Sequence, residues 1–165
     1  MAEEVLPHPV VNASPLIFLS KSGHLALLQV TGEQVLVPEP VALEIQRRGP
    51  DDMTAQALNE TKWLRVTPVP VIPAVIQAWD LGPGESAVLS LAYERPGTEA
   101  IIDDLAGRRC AAALAIPVRG TLGIVLTAKR QGRIKKARPV IQRLVETGMY
   151  LSDRVLDEAF KLVGE

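Results

Sequence analysis

The stretch from residue 9 to residue 20 constrains the fold of this chain more than any other. Pro9-Val10-Val11 is apolar, β-branched and too short for a helix, and it runs straight into a small polar turn at Asn12-Ala13. Ser14 followed by Pro15 then reads as a helix N-cap with proline at the first helical position. A short buried strand that passes through a polar turn into a helix is the building unit of a parallel α/β sheet. In such sheets the last polar side chain of the strand faces the crevice at the carboxyl edge, where ligands bind. Asn12 therefore marks one wall of a candidate site, and the acids that would complete it must come from later segments.

The alternation of strand and helix continues along the chain. Gly23 interrupts the first helix, and residues 24–28 add a second apolar turn. Gln34-Val35-Leu36-Val37, stopped by Pro38, predicts a second strand. Pro40 opens a helix over residues 40–48 that Gly49-Pro50 closes, and Asp51-Asp52 caps another over residues 53–60. Trp63-Leu64-Arg65-Val66 alternates as a third strand. A proline-rich surface connection over residues 67–73 leads from it to a helix ending near Asp80-Leu81. Gly82-Pro83-Gly84 turns, and Glu85 opens a helix with an apolar stripe of Ala87, Val88, Leu91 and Ala92. Glu99-Ala100-Ile101-Ile102 is a fourth strand running directly into Asp103-Asp104, with a helix over residues 105–115 behind it. Ile116-Pro117-Val118 predicts a short fifth strand, and Thr121 caps a helix over residues 122–131. Further helices are expected around residues 140–145 and over residues 152–163. The fold class is α/β: a parallel sheet of about five strands covered by helices on both faces, in one domain spanning residues 1–165. At 165 residues that domain can bury its own core without staples.

A single cysteine, Cys110, excludes an internal disulfide and fits a reducing compartment. Met1-Ala2-Glu3-Glu4 is acidic with no long apolar run behind it, so no signal peptide is read there, and no stretch reaches membrane-spanning length. A cytoplasmic protein with no membrane partner is the expectation. The net charge of −1 hides a segregation. No acid stands between Asp104 and Glu146, an interval that holds ten of the 18 basic residues: Arg108, Arg109, Arg119, Lys129, Arg130, Arg133, Lys135, Lys136, Arg138 and Arg143. A one-sided basic face suggests a polyanion partner such as nucleic acid, although on charge alone solvation of surface helices is the better account of such side chains.

The candidate site residues are Asn12, Glu44, Glu85, Asp103 and Asp104, three at strand ends and two on helices that could lean over them. Each alone has a bland explanation. Glu44 suits a solvent-facing helix position, Glu85 complements a helix dipole, and one of the paired aspartates serves as an N-cap. Together they need another account, because gathered carboxylates raise one another's pKa and resist desolvation. Hard divalent cations take oxygen ligands, so Mg²⁺ or Mn²⁺ explains the cluster, and phosphodiester hydrolysis is the chemistry it supports. Other chemistries lack their residues. Cys110 sits in an alanine-rich helix, His8 and His24 are too few for a zinc site, and Gly120-Thr121-Leu122-Gly123 lacks the lysine of a phosphate-binding loop. A phosphotransfer domain would need a nucleophilic aspartate after the first strand, where Asn12 stands.

Five motifs in order resemble the PIN-domain nucleases, most closely their bacterial and archaeal branch of predicted nucleic-acid-binding proteins. They are Val10-Val11-Asn12-Ala13-Ser14-Pro15-Leu16-Ile17; Val35-Leu36-Val37-Pro38 leading to Glu44-Ile45; Gly82-Pro83-Gly84-Glu85-Ser86-Ala87; Ile102-Asp103-Asp104 with Arg108-Arg109; and Gly120-Thr121-Leu122-Gly123. They cover roughly residues 9 to 147, with the helix of residues 152–163 packed on them. The resemblance implies a three-layer α/β/α domain, Mg²⁺- or Mn²⁺-dependent cleavage of RNA, a toxin role beside a small antitoxin protein, and a homodimer. It places the acids and metal ligands on Asn12, Glu44, Glu85 and Asp103 or Asp104, with Ser14 in a supporting position. Thr121 is a second supporting residue, and Arg108, Arg109, Arg119, Lys129, Arg130, Arg133, Lys135 and Lys136 are candidates for nucleic-acid binding. Asn12 departs from the family pattern, which has aspartate there. An amide oxygen can coordinate a cation but adds no charge. Two readings follow: an active nuclease, or a catalytically silent PIN-like module that binds nucleic acid or protein.

Overall fold

The structure is a computed structural model that describes residues 6–69 and 71–165. The acidic residues 1–4 and Pro70 of the proline-rich connection lie outside the described residues. Five strands form one parallel sheet in the order β3-β2-β1-β4-β5: β1 Val10–Val11, β2 Val35–Pro38, β3 Leu64–Thr67, β4 Ala100–Ile101 and β5 Val118–Arg119. The strands are short, and Val10, Val11, Val35, Val37, Ala100 and Ile101 are fully buried, as a sheet covered on both faces requires. Each buried Val or Ile contributes about 1.5–3 kcal/mol.

On one face α1 (Ala13–Lys21), a 3₁₀ turn (Leu25–Val30), α2 (Glu39–Gln46), α3 (Met53–Glu60) and α7 (Thr121–Arg130) pack together. On the other α4 (Ala74–Gln77), α5 (Pro83–Glu94) and α6 (Leu105–Ala113) lie side by side, with α5 across β2, β1 and β4. Right-handed crossovers dictate this division. The chain moves one way from β1 to β3 and the other way from β3 through β4 to β5, so its connecting helices switch faces. The fold is therefore the expected three-layer α/β/α domain. α8 (Ala137–Glu146) packs outside α7. α9 (Asp153–Leu162) is held to α8 by the Arg138 guanidinium 3.9 Å from the Phe160 ring centroid. The Glu165 carboxylate also accepts the Ala137 and Arg138 N–H groups at 2.7 and 3.0 Å.

Several local expectations change. The helix expected to end near Asp80-Leu81 is the single turn α4, and α5 begins at Pro83 rather than Glu85, so Pro83 and Gly84 belong to its first turn. The first helix begins at Ala13, so Asn12 rather than Ser14 is its N-cap and Pro15 is its third residue. Proline is tolerated there because the first four N–H groups of a helix have no intrahelical acceptor. The fifth strand is displaced from residues 116–118 to Val118–Arg119. The Ile116 N–H turns back to the Ala111 carbonyl at 2.8 Å and Pro117 has no N–H, so sheet pairing begins with the carbonyl of Pro117 accepting from Ala100 at 2.8 Å. Finally, α7 starts at Thr121 with Gly120 as its N-cap, which frees Thr121 from the capping role expected of it.

Candidate functional site

The strand order reverses at β1 and β4, and a crevice opens at the carboxyl edge of such a pair. Asn12 follows β1 there and Asp103-Asp104 follow β4 by one residue. A cleft of about 310 Å³ lies over β1, lined by Asn12, Ser14, Glu44, Arg47, Gly84 and Glu85 among others. Three of the five predicted acid-site residues thus share one cleft, together with supporting Ser14. Asn12 is buried yet makes no side-chain cap hydrogen bond to α1, so its amide remains available to the cleft.

Three glycines bring the polar side chains close to the backbone. A Cβ at Gly84 would lie 3.2 Å from Asn12 Oδ1 and 3.3 Å from Glu44 Oε2. At Gly107 it would lie 3.3 Å from Glu85 Oε2, and at Gly120 3.0 Å from Asp103 Oδ1 and 3.3 Å from Arg108 Nη1. Gly107 stands inside α6, where glycine is unfavourable by about 1 kcal/mol relative to alanine. The approach of the Glu85 carboxylate is a reason for it to be there. Burial lifts the Glu85 carboxyl above its ordinary range, and the negative charges of Asp104 and then Glu44 lift it further. Glu85 therefore feels both neighbouring acids.

The two aspartates are engaged differently. Asp104 is the N-cap of α6, its Oδ1 accepting the Ala106 and Gly107 N–H groups at 2.8 and 3.3 Å, while its residue is exposed beside the cleft. Asp103 reaches across to α7. Its Oδ1 accepts the Thr121 N–H and its Oδ2 the Thr121 hydroxyl, both at 2.7 Å. The two carboxylate oxygens latch β4 to the start of α7, and Thr121 is fully buried. Among the described residues no three acids stand close enough to close around one ion.

The basic residues divide. Arg108 and Arg109 lie in the first half of α6, near the acidic edge. Arg119 is tied to Glu99 and Thr127, both at 3.1 Å. Lys129 bonds the Lys135 carbonyl and pairs with Glu165 at 3.7 Å. α7 leaves the carboxyl edge at Gly120 and its ten residues carry the chain about 15 Å away. Arg130, Arg133, Lys135 and Lys136 therefore stand at the opposite end of α7 from Asp103. Arg47 was not anticipated. It lines the cleft one turn beyond Glu44, a spacing of three that places both on one helix face and could have flagged it.

A parallel, three-layer α/β/α domain with acids at its switch point defines a nuclease-like class of protein. A family model of the PIN domain (DUF3368) matches residues 8–165, and the chain belongs to the PIN-domain family. PIN domains generally use divalent metals. No curated protein and no solved structure matches the chain. No helix among the described residues is long and apolar enough to cross a membrane.

Proposed function

We propose that the chain is a metal-dependent ribonuclease that hydrolyses RNA phosphodiester bonds in the cleft between β1, α2 and α5. The observation that carries this reading is the convergence of oxygens in one cleft: Asn12 Oδ1 and Glu44 Oε2 lie within 3.3 Å of one point at Gly84, and Glu85 lines the same cleft. Burial and then the like charges of Asp104 and Glu44 raise the Glu85 carboxyl, and a bound cation would offset that penalty. The donors are hard oxygens, which suits Mg²⁺ or Mn²⁺. Mg²⁺ commonly uses one or two carboxylates and keeps several waters, so a closed cage of three acids is not required. Glu44 and Glu85 would hold the ion with the Asn12 amide oxygen, and Asp104 stands at their side. When bound, the ion lowers the pKa of a water and neutralises charge on the leaving oxygen.

The chain's own residues supply the rest. With Glu44 and Glu85 on the ion, Asp104 is the carboxylate left at their side to orient the attacking water. Arg47 in the cleft counters the phosphate charge. The Asp103–Thr121 latch fixes the β4 edge against which these groups are set. A second reading, a silent module that binds nucleic acid or a protein, is favoured by the amide at position 12 and by the engagement of Asp103.

Calorimetry of Mn²⁺ on chelator-stripped protein, with single-stranded RNA cleavage alongside, separates the two readings. Binding and cleavage that Glu44→Gln/Glu85→Gln abolishes support the nuclease. No binding at millimolar Mn²⁺ leaves the silent module. A cytoplasmic toxin role with a small antitoxin and a homodimer extends the proposal on family resemblance alone; a neighbouring gene for a small protein and a sedimentation measurement test it.

A further inference from the structure

A second, larger cavity of about 540 Å³ adjoins the acidic edge on its β5 side. Its polar end is formed by Asp103 and Arg108, and its apolar walls include Phe18, Leu122 and Met149. Phe18 stands one turn beyond Ser14 on α1, and Ser14 lines the acidic cleft, so the two hollows flank the same helix. Arg108 makes no ion pair among the described residues.

At this cavity Tyr150 is 87% exposed although both its neighbours are anchored. The Met149 N–H donates to the Leu144 carbonyl at 3.1 Å, and Leu151 packs partly buried against the core. Gly148 at φ +108° makes the turn, and Ser152 caps α9 immediately afterwards. The turn fixes the backbone from which the aromatic ring projects, so no backbone entropy is lost when something stacks on it. The cavity thus offers the Arg108 guanidinium, unpaired among the described residues, at one end, beside an Asp103 carboxylate whose two oxygens are already engaged by Thr121, and flat apolar surface with a projecting ring at the other. That polarity matches a nucleotide, whose phosphate is anionic and whose base is flat and π-faced. Single-stranded RNA is recognised in this way, by unstacked bases laid on aromatic side chains.

We propose that this cavity is a base-binding subsite for a nucleotide adjoining the scissile phosphate, with Tyr150 stacking on the base and Arg108 contacting its phosphate. The inference rests on the ribonuclease reading above and adds a specificity residue to it.

The test is fluorescence anisotropy of labelled single-stranded RNA octamers, with Ca²⁺ replacing Mn²⁺, against wild type, Tyr150→Ala and Tyr150→Phe. Tyr150 is exposed, so neither variant threatens the fold. Tyr150→Ala should weaken binding about 5- to 150-fold, while Tyr150→Phe stays near wild type. A series of octamers with a single abasic position adds a control that a structural role would not move. One abasic position should weaken wild type and leave Tyr150→Ala unchanged. Equal binding by wild type and Tyr150→Ala would overturn the subsite while leaving the ribonuclease reading intact. Loss in Tyr150→Ala with no abasic position showing that non-additivity would also overturn it. Absence of RNA binding by wild type would sink both proposals.

Discussion

Restoring an acid at position 12 is a nearly isosteric test of the cleft, because Asn12→Asp changes charge without changing shape. Asn12 Oδ1 at 3.2 Å and Glu44 Oε2 at 3.3 Å from one point at Gly84 are at most about 6.5 Å apart. Two negative charges at that distance repel by about 2.5 kcal/mol at an effective dielectric of about 20. Glu44 is exposed, so solvent reduces this to about 1–2 kcal/mol. The new carboxylate sits at the N-cap of α1, where the helix dipole returns about 0.3–1 kcal/mol. The metal-free variant should therefore be destabilised by about 1 kcal/mol, lowering the melting temperature by about 2–4 °C. Added Mn²⁺ reverses the sign, because the same charge now attracts a dication, and binding should tighten about 10-fold. Differential scanning fluorimetry with and without Mn²⁺, calorimetry and RNA cleavage read all three effects. An unchanged melting temperature together with Mn²⁺ affinity within twofold of wild type would falsify the placement of Asn12 in the acidic cluster.

Asp103 should behave as a latch before it behaves as a ligand. Asp103→Ala removes two short charge-assisted bonds and leaves the buried Thr121 hydroxyl without its acceptor, a loss of about 2–4 kcal/mol in urea unfolding. Asp103→Asn, which can still accept from the Thr121 N–H, should lose about 1 kcal/mol, and a loss under 0.5 kcal/mol in Asp103→Ala would refute the latch. Glu85 predicts a pH effect. Its carboxyl is raised in the folded protein, so its contribution to metal-free stability is fully present below the unfolded carboxylate pKa and lost as pH rises through the folded value. Glu85→Gln should flatten that slope and leave the metal-free protein more stable than wild type at neutral pH. Parallel stability–pH curves for the two proteins would show that Glu85 does not feel Asp104 and Glu44.

The sequence alone determined the alternation that makes the sheet, because short β-branched runs bounded by proline, glycine and acids admit little else. It also placed Asn12 and Asp103-Asp104 at strand ends, since the polar residue after a buried parallel strand has only the carboxyl edge to occupy. Glu44 and Glu85 were legible as candidates from their helix positions, each with a bland explanation beside it, and the family motifs then reinforced them. What joins them to Asn12 is tertiary: Gly84 reads as a turn residue until α2 and α5 are packed, and Gly107 shows no role until α5 meets α6; then their missing side chains become the space the oxygens use. The fate of each aspartate was likewise beyond reach of the sequence. Both could cap a helix, and only the approach of α7 to β4 gave Asp103 to Thr121 and left Asp104 on its own helix. The ten basic residues show the same limit in reverse. Their clustering in sequence suggested one face, but a helix that starts at the site carries its later residues away from it. Charge order along the chain does not specify direction in space, whereas the strand order and crossover hand do.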